Sequence, residues 1–460
     1  MTRGNPKRSS RHRELTELSA VDIARELASG GVKAETVTRA FLDRIAAEDE
    51  ALGAYVFVDE DYALEQARAL DRHRGTGRAI GPMHGVPVAL KDIIDARGLP
   101  CERGTVIEAG RVAREDAFVV QRLREAGAVI IGKTVTTELA VYTPGKTRNP
   151  HNPERTPGGS SSGSAAAVAA CLAPIAIGSQ TNGSVIRPAS YCGVVGYKPS
   201  RGLVSRRGVL GQSQVLDTLG TFGRSVEDAA FAGDAIAGYD PGDPAMQPQA
   251  RPQLRAIAMT EPPLRPVLGF VRQPVWDQAD EDVRGGFAEL VEELGDAIEE
   301  VSLPAPFDRG VELHNTIMTA DIAKSYARYY DEGRDKLSDR LAAIIEEGRR
   351  VLAVDYALAH DWIEVLNAGL DRLFDHYDAL VTPATTGEAP GIETTGSPIF
   401  CTLWTYLGVP AVTVPLLTGS TGLPIGVQLV GRRGNDARLL RTARWMVAEV
   451  ERRGDESGQS

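Results

Sequence analysis

Short apolar runs of strand length alternate with helical segments along almost all of this 460-residue chain. In the first half, an apolar run at 86–90 is followed by a helical pattern at 118–126 and a second run at 128–131. Near the C-terminus, the run 426–430 precedes a helical pattern from about 437 to 452. Strands from both halves of the chain can join one sheet, and helices packed against that sheet would bury its faces. The sequence therefore predicts a single α/β domain with a large central sheet.

The charge balance argues against one broad class of function. Hydrophobic residues make up 42% of the chain and charged residues 25%, as in typical globular proteins, and the net charge is −11. An acidic body does not suit a nucleic-acid partner, because such binding depends on neutralising phosphates. The N-terminus is the exception, with five basic residues: Arg3, Lys7, Arg8, Arg11 and Arg13. We predict that residues 1–14 form a disordered basic arm.

The sequence shows no sign of export or of a cofactor. No apolar segment follows the basic arm as a secretory leader would need, and no run of about 18 apolar residues could span a membrane. The four cysteines form no CxxC pair, and none of the seven histidines lies in an HExxH pattern. These patterns predict reduced thiols and a cytoplasmic protein with no membrane partner, no metal and no other cofactor.

Residues 127–134 match the phosphate-loop expression G-x-x-x-x-G-K-[ST]. A phosphate-binding loop follows a strand and presents converging backbone N–H groups. Here the segment before Gly127 is helical, and the four residues between Gly127 and Gly132 are Ala, Val, Ile and Ile, which favour a strand. We interpret the segment as a helix end at Gly127 followed by a core strand, and we expect no nucleotide binding.

Residues 159–163 match the nucleophile-elbow expression G-x-S-x-G. An elbow lies between a strand and a helix, but the preceding residues 152–157 contain two prolines and cannot form a central strand. The elbow chemistry also needs a downstream histidine. His314, His360 and His376 lie in helical, charged segments that favour the surface. The elbow interpretation is therefore disfavoured.

Three separated segments carry residues suited to nucleophilic catalysis. Lys91 ends an apolar run, Ser160 is the first serine of the Gly/Ser-rich stretch 158–164, and Ser184 follows the sequence Gly-Ser-Gln-Thr-Asn-Gly. Ser160 and Ser184 are 24 positions apart, and Lys91 precedes Ser160 by 69 positions. A serine hydroxyl needs a base to become a nucleophile, and a lysine can be that base only when its pKa is depressed.

These segments, in this order and spacing, resemble the amidase signature family, and the resemblance extends to residues 422–428 near the C-terminus. Malonamidase-like small-amide hydrolases look most similar, and the chain is also similar to the glutaminase component of glutamyl-tRNA(Gln) amidotransferase. The resemblance implies that Ser184 is the nucleophile, that Ser160, in a cis configuration, relays the proton, and that Lys91 is the base.

The same resemblance implies the domain organisation. One domain would cover residues 15–455, with a large mixed central sheet covered by helices on both faces. Its core motifs would lie at 80–225, and a variable helical region at about 235–400 would determine the substrate.

The loop that carries Ser184 also predicts an oxyanion hole. The backbone N–H groups of Thr181, Asn182, Gly183 and Ser184 would converge on the negative charge that develops on the substrate oxygen. Many family members have glycine at the position of Asn182. Asparagine tolerates left-handed backbone angles, so we expect the hole to persist. The Asn182 side chain would narrow the site or contact the substrate.

Arg187 lies three positions after the predicted nucleophile. Malonamidase-like members hold a substrate carboxylate at this position, and arginine offers such a group a bidentate grip. The alternative is a structural salt bridge, and the sequence leaves both interpretations open.

Together these features predict an amidohydrolase that cleaves a linear amide to a carboxylate and ammonia or an amine through an acyl-enzyme. The sequence does not determine the substrate; a carboxylate-bearing small amide is the class that the first interpretation of Arg187 implies. The resemblance implies a homodimer. One alternative is the glutaminase component of a tRNA-dependent amidotransferase, and another is an acyltransferase that uses the same three residues. The last is a pseudoenzyme that binds a ligand without turnover, although intact Lys91, Ser160 and Ser184 argue against it.

Overall fold

The computed structural model describes residues 14–457, so the predicted basic arm lies outside the described residues except for its last position. The strands are β1 (Tyr55–Phe57), β2 (Pro87–Lys91), β3 (Val129–Thr134), β4 (Ile175–Gln180), β5 (Val195–Lys198), β6 (Thr218–Gly223), β7 (Leu268–Val271), β8 (Ile298–Val301), β9 (Ala379–Pro383), β10 (Ala411–Thr418) and β11 (Pro424–Val430). The helices that pack around them are α1 (Ala20–Ser29), α2 (Ala34–Leu52), α3 (Glu60–Gly75), α4 (Phe118–Glu125), α5 (Ser162–Ala169), α6 (Ile186–Cys192), α7 (Val226–Ile236), α8 (Leu254–Ala258), α9 (Glu281–Leu294), α10 (Gly310–Ser325), α11 (Ala327–Gly333), α12 (Asp339–Gly348), α13 (Ala353–Leu373), α14 (Ile399–Tyr406) and α15 (Asp436–Ser457).

All of these strands join one mixed sheet in the order β1-β3-β2-β4-β6-β5-β10-β11-β9-β7-β8. Strand β2 runs parallel to both β3 and β4, whereas β4 is antiparallel to β6 and β10 is antiparallel to β11. The two halves of the chain meet where β5 pairs with β10. The prediction of an α/β fold built on a single large mixed sheet is therefore confirmed.

Alternate residues of the central strands pack against different helices. In β10, Ala411 belongs to the apolar cluster formed with α10 to α14, whereas Val412 belongs to the cluster formed with α7, α9 and α15. Leu380 and Val381 of β9 divide between the same two clusters. Because successive side chains of a strand point to opposite faces, helices cover both faces of the sheet, as predicted.

The helix ends follow from local sequence. The side chain of Ser19 accepts the N–H of Asp22 at 3.0 Å and caps the start of α1. The helix ends at Gly30, whose φ of 82° lies in the left-handed region that glycine adopts without strain. The two glycines that follow the apolar pattern of this helix are thus a reliable stop signal.

Residues 144–163 lack periodicity and are rich in Pro, Gly, Asn and Ser, which predicts a loop, and the small residues at 165–173 predict a helix. The structure places this helix earlier in the chain. Helix α5 already begins at Ser162 and ends at Ala169. Gly163 permits this early start, because a Cβ at that position would lie 2.2 Å from the Ala54 carbonyl oxygen. The helix stops early because Cys171 takes a left-handed φ of 58°.

Residues 225–380 have a mainly helical sequence pattern, but they also contain β7, β8 and the start of β9. These strands are four or five residues long, which is too short for a strand pattern to stand out between helices. They extend the sheet beyond β11. The assignment of substrate specificity to residues 235–400 stays a prediction.

Candidate active site

Lys91, Ser160 and Ser184 come from three elements that meet at one edge of the sheet. Lys91 is the last residue of β2, and Ser184 follows β4, which lies beside β2 and runs parallel to it. The carboxyl ends of parallel neighbouring strands share one edge of a sheet, where ligands commonly bind. Ser160 and Ser184 line the same cavity, together with Tyr142 and Arg187.

Lys91 is buried and bonded to two hydroxyl groups. Its Nζ lies 2.7 Å from Ser160 Oγ and 2.9 Å from Ser179 Oγ, and no carboxylate within residues 14–457 forms an ion pair with it. Burial lowers the pKa of Lys91 well below its usual range; Asp217 opposes this shift, and Arg187 adds to it. This environment favours the neutral amine, which can accept a proton from Ser160.

The backbone around Ser160 is held from several sides. The peptide bond between Gly159 and Ser160 is cis. Gly158 has a φ of 81°, and a Cβ there would lie 2.8 Å from the Cα of Pro188, so only glycine fits. The Ser160 carbonyl accepts the N–H of Thr137 at 3.2 Å. These contacts fix the position of Ser160 relative to the end of β2.

Ser184 lies in the turn 181–184 between β4 and α6. The side-chain oxygen of Gln180 accepts the N–H groups of Val185 at 2.8 Å and Ile186 at 3.0 Å, which fixes the start of α6. Within the described chain, the backbone N–H groups of residues 181–184 have no acceptor, and Ser184 Oγ has no hydrogen bond to Ser160. The four predicted oxyanion residues therefore retain N–H groups that can bind an anionic oxygen.

The Asn182 side chain joins two walls of the cavity. Its Nδ2 donates to Tyr142 Oη at 3.0 Å, and its Oδ1 accepts from Thr402 Oγ1 of α14 at 2.7 Å. The Tyr142 ring lies near the guanidinium groups of Arg187 and Arg340, which are 6.0 Å and 4.8 Å from its centroid. Of the two roles that the sequence leaves open, this arrangement favours a narrowed site.

Substitution of Asn182 by glycine is expected to widen the range of amides that the site accepts. The change removes both side-chain bonds and keeps the backbone N–H. The ratio of kcat/KM for a bulky aryl amide to kcat/KM for acetamide should rise at least about tenfold, as expected when a pocket gains space for larger groups. Asn182→Asp, which preserves side-chain volume, is the control. An unchanged ratio in Asn182→Gly would show that the side chain does not limit substrate size.

Arg187 lies at the start of α6 and is buried. Its Nη1 donates to the Gly396 carbonyl at 2.8 Å, and its Nη2 donates to the Gly159 carbonyl, next to Ser160. Its Nε has no partner within residues 14–457, and no carboxylate of this part of the chain pairs with the guanidinium. Instead of a structural salt bridge, the structure gives Arg187 two carbonyl partners and leaves its positive charge uncompensated beside the cavity.

The structure corrects the sequence interpretation of His314, which places this residue at the surface. The side chain is buried, and its Nε2 lies 3.0 Å from the Thr181 carbonyl oxygen. The charged composition of the segment concealed which face of this predicted helix is buried. His314 precedes Met318 by four positions and Ile322 by eight, and both of these apolar side chains line the cavity. Residues at this spacing share one face of a helix.

Asp217 is a second residue that sequence reasoning missed. Its carboxylate accepts Thr181 Oγ1 at 2.6 Å and the backbone N–H groups of Gln212 and Ser213 at 2.8 and 3.0 Å. Burial raises the pKa of Asp217 to about 6, although these hydrogen bonds oppose the shift. A single aspartate outside any motif gives no sequence signal for this position.

The phosphate-loop match at 127–134 folds as the sequence analysis predicts. Gly127 has a φ of 86° and follows α4, and residues 129–134 form the buried strand β3. Lys133, at the position of a phosphate-binding lysine, is buried and lies 2.8 Å from Asp92. The elbow match at 159–163 likewise follows a loop.

Neither a metal cluster nor a membrane-crossing helix occurs within residues 14–457. In this part of the chain, no group of three or more His, Cys, Asp or Glu side chains could hold a metal ion. None of its helices combines the length and apolar character that crossing a membrane requires.

Comparison with known proteins gives matches along nearly the whole chain. A family model described as Amidase matches residues 36–440. The chain is 36% identical to the glutamyl-tRNA(Gln) amidotransferase A-subunit of Acidothermus cellulolyticus, with 96% of each chain covered. It is 35% identical to the corresponding protein of Salinispora arenicola, with 95% of this chain and 98% of the relative covered.

Several solved structures share the fold. The native peptide amidase from Stenotrophomonas maltophilia is 32% identical, with a TM-score of 0.82 over 95% of this chain and 97% of that one. The 6-aminohexanoate cyclic dimer hydrolase complexed with substrate is 27% identical, with a TM-score of 0.84 and the same coverage. A structure of a vestigial protein complex, described as revealing the evolutionary origins of an s-triazine catabolic enzyme, is 30% identical, with a TM-score of 0.88 over 94% of this chain and 98% of that chain.

Proposed function

We propose that this chain, which belongs to the amidase signature family, hydrolyses a small linear amide to a carboxylic acid and ammonia or an amine. The observation that carries the proposal is the buried Lys91 Nζ, 2.7 Å from Ser160 Oγ, beside the cavity that Ser160 and Ser184 line. A neutral amine bonded to a relay hydroxyl supplies the base that a serine nucleophile needs.

The reaction would proceed through an acyl-enzyme. Ser184 Oγ attacks the amide carbonyl, its proton passes to Ser160 Oγ, and the Ser160 proton passes to Lys91 Nζ. The negative charge on the substrate oxygen is stabilised by the N–H groups of the turn 181–184. Return of the proton through Ser160 to the amide nitrogen expels ammonia or an amine. Water then attacks the ester on Ser184 with the help of the same relay, and the acid leaves.

A carboxylate-bearing amide is the substrate class that Arg187 favours. The guanidinium is buried, has no carboxylate partner within the described residues and lines the same cavity as Ser184. A buried charge is costly unless it is paired. A substrate carboxylate near Nε would supply the missing partner, whereas a neutral amide would leave the charge uncompensated.

Substitution of Arg187 by glutamine is expected to change substrate preference. The kcat/KM for malonamate should fall about 10- to 100-fold more than that for neutral malonamide, because the carboxylate loses a charge-assisted hydrogen bond. Arg187 also donates a hydrogen bond to the Gly159 carbonyl, so its loss could disturb the site for every substrate. Ammonia release measured on this matched pair separates such a disturbance from the loss of carboxylate binding. Equal losses on the two amides would assign Arg187 a structural role alone.

The proposed function is tested by ammonia and amine release from a panel of amides by the purified chain. The panel contains malonamate, glutamine, aliphatic amides and aryl amides, and Ser184→Ala serves as the control for contaminating hydrolases. Addition of hydroxylamine at low concentration tests the acyltransferase alternative, because that enzyme would form mainly the hydroxamate, whereas a hydrolase would still form mainly the acid. Turnover that persists at the wild-type rate in Ser184→Ala would contradict the proposal. Ligand binding without any turnover would favour the pseudoenzyme.

A second candidate function is the glutaminase component of a tRNA-dependent amidotransferase. The identity of 36% to a protein named as part of that enzyme, over 96% of each chain, favours it. In that case the purified chain would release little ammonia from any amide. Glutamine hydrolysis would rise on addition of the partner proteins, which would co-purify with the chain from its own cells. A homodimer that is active without partners would support the first candidate.

A further inference from the structure

The three carbonyl groups of the turn 181–183 are each held by a donor. The Thr181 carbonyl accepts His314 Nε2 at 3.0 Å. The Asn182 carbonyl accepts Thr405 Oγ1 of α14, and the Gly183 carbonyl accepts the backbone N–H of Arg187 at 2.9 Å. Two of these donors come from helices more than 100 residues beyond the turn.

These bonds determine where the oxyanion N–H groups point. In a planar trans peptide unit, the C=O and the following N–H point in opposite directions. A donor that holds the Thr181 carbonyl therefore also sets the direction of the Asn182 N–H, and Thr405 does the same for the Gly183 N–H. Neither N–H has an acceptor within the described chain. The hydrogen bonds to its carbonyl groups therefore fix the orientation of the turn.

His314 is suited to this task by its surroundings. A carbonyl oxygen only accepts hydrogen bonds, so Nε2 carries the hydrogen in this contact. The ring is buried on α10, and Asn315 Oδ1 lies 3.3 Å from Nδ1. Burial lowers the pKa of His314, although the contacts with the Thr181 carbonyl and Asn315 oppose the shift, and the lowered pKa favours a neutral ring. The contact is therefore a directional hydrogen bond and not a charge interaction.

We propose that His314 is a positioning residue, whose Nε2–H holds the Thr181 carbonyl and so keeps the Asn182 N–H directed at the oxyanion. The proposal rests on the proposed amidase function and adds to it a residue from outside the catalytic motifs. It assigns α10 two roles, since Met318 and Ile322 of the same helix line the cavity. The effect of His314 on the reaction would be indirect, through the turn.

The test compares His314→Gln, which retains an N–H donor, with His314→Leu, which does not. In His314→Leu, kcat should fall about 10- to 100-fold with KM nearly unchanged, somewhat less than the loss of a whole oxyanion donor. Affinity for a boronic acid that forms a tetrahedral adduct on Ser184 should fall by a similar factor, while affinity for the product acid should not change. His314→Gln should recover most of both losses, and thermal unfolding shows whether each variant is folded.

Three results would overturn the inference. A folded His314→Leu with wild-type kcat and boronate affinity would show that the bond does not orient the turn. Equal loss of boronate and product affinity, with no recovery in His314→Gln, would show a packing role only. If the wild-type chain releases no ammonia or amine from any amide, or if Ser184→Ala retains full activity, the proposed function itself fails and the inference fails with it.

Discussion

Replacement of Ser184 by alanine is expected to lower kcat for amide hydrolysis by about 10⁴-fold or more, since the nucleophile and its relay act as a unit. Substrate binding should remain, because alanine preserves the backbone N–H and Arg187 stays in place. KM, or the Kd measured directly for a slow substrate, should therefore change little. The measurement is ammonia release under saturating substrate, with the variant purified separately from any wild-type source.

Ser162 offers a matched control for the loss of a buried hydroxyl near the site. It lies on α5, two positions after Ser160, and its Oγ is buried with no hydrogen-bond partner within the described chain. Ser162→Ala should keep kcat within about twofold of wild type, as for substitutions that leave no polar group unpaired. Intact mass after reaction with a slow ester should show one acyl group on wild type and none on Ser184→Ala. Acylation of Ser184→Ala would contradict the assignment of the nucleophile.

The sequence could predict which groups are the candidates for the reaction, because their identity and spacing are local properties of short motifs. Lys91, Ser160 and Ser184 each lie in a segment of distinctive composition, and the strand that ends at Lys91 was visible as an apolar run. The structure brings these segments together through the pairing of β2 with β4. That pairing depends on contacts between residues that are far apart in the chain. The composition of each segment does not reveal these contacts.

The groups that hold the motif in place could not be predicted in the same manner. Asp217 and His314 contact the turn 181–184 through single hydrogen bonds from other elements. Their residue types are common at protein surfaces, so their burial depends on how α10 and the segment before β6 pack. The i, i+4, i+8 relation of His314 to Met318 and Ile322 is a signal that could have been used, since those two residues are apolar.

Replacement of Lys91 by methionine is expected to lower kcat about 10³-fold, within the usual contribution of a general base. Methionine has a similar length but no amine. Burial lowers the pKa of Lys91. Folding therefore shifts this side chain away from the charged form that it prefers in water and towards the neutral form. An uncharged replacement should therefore leave the thermal unfolding midpoint at or above that of wild type. Lys198→Met is the matched control: Lys198 is also buried, and its Nζ donates to the carbonyls of Pro199 and Val409.

The pH profile tests the same assignment. Only the neutral amine accepts a proton, so kcat/KM of wild type should rise with pH up to the depressed pKa of Lys91 and level off above it. Titration of Asp217, whose pKa is about 6, would give a similar fall in kcat/KM at low pH, which is the acid limb of the profile. If Lys91 is the source, Asp217→Asn should retain the limb but move it to lower pH, because the Asp217 charge opposes the lowering of the Lys91 pKa. A limb that disappears in Asp217→Asn, together with a Lys91→Met variant of near wild-type kcat, would contradict Lys91 as the base and leave Ser160 without a proton acceptor.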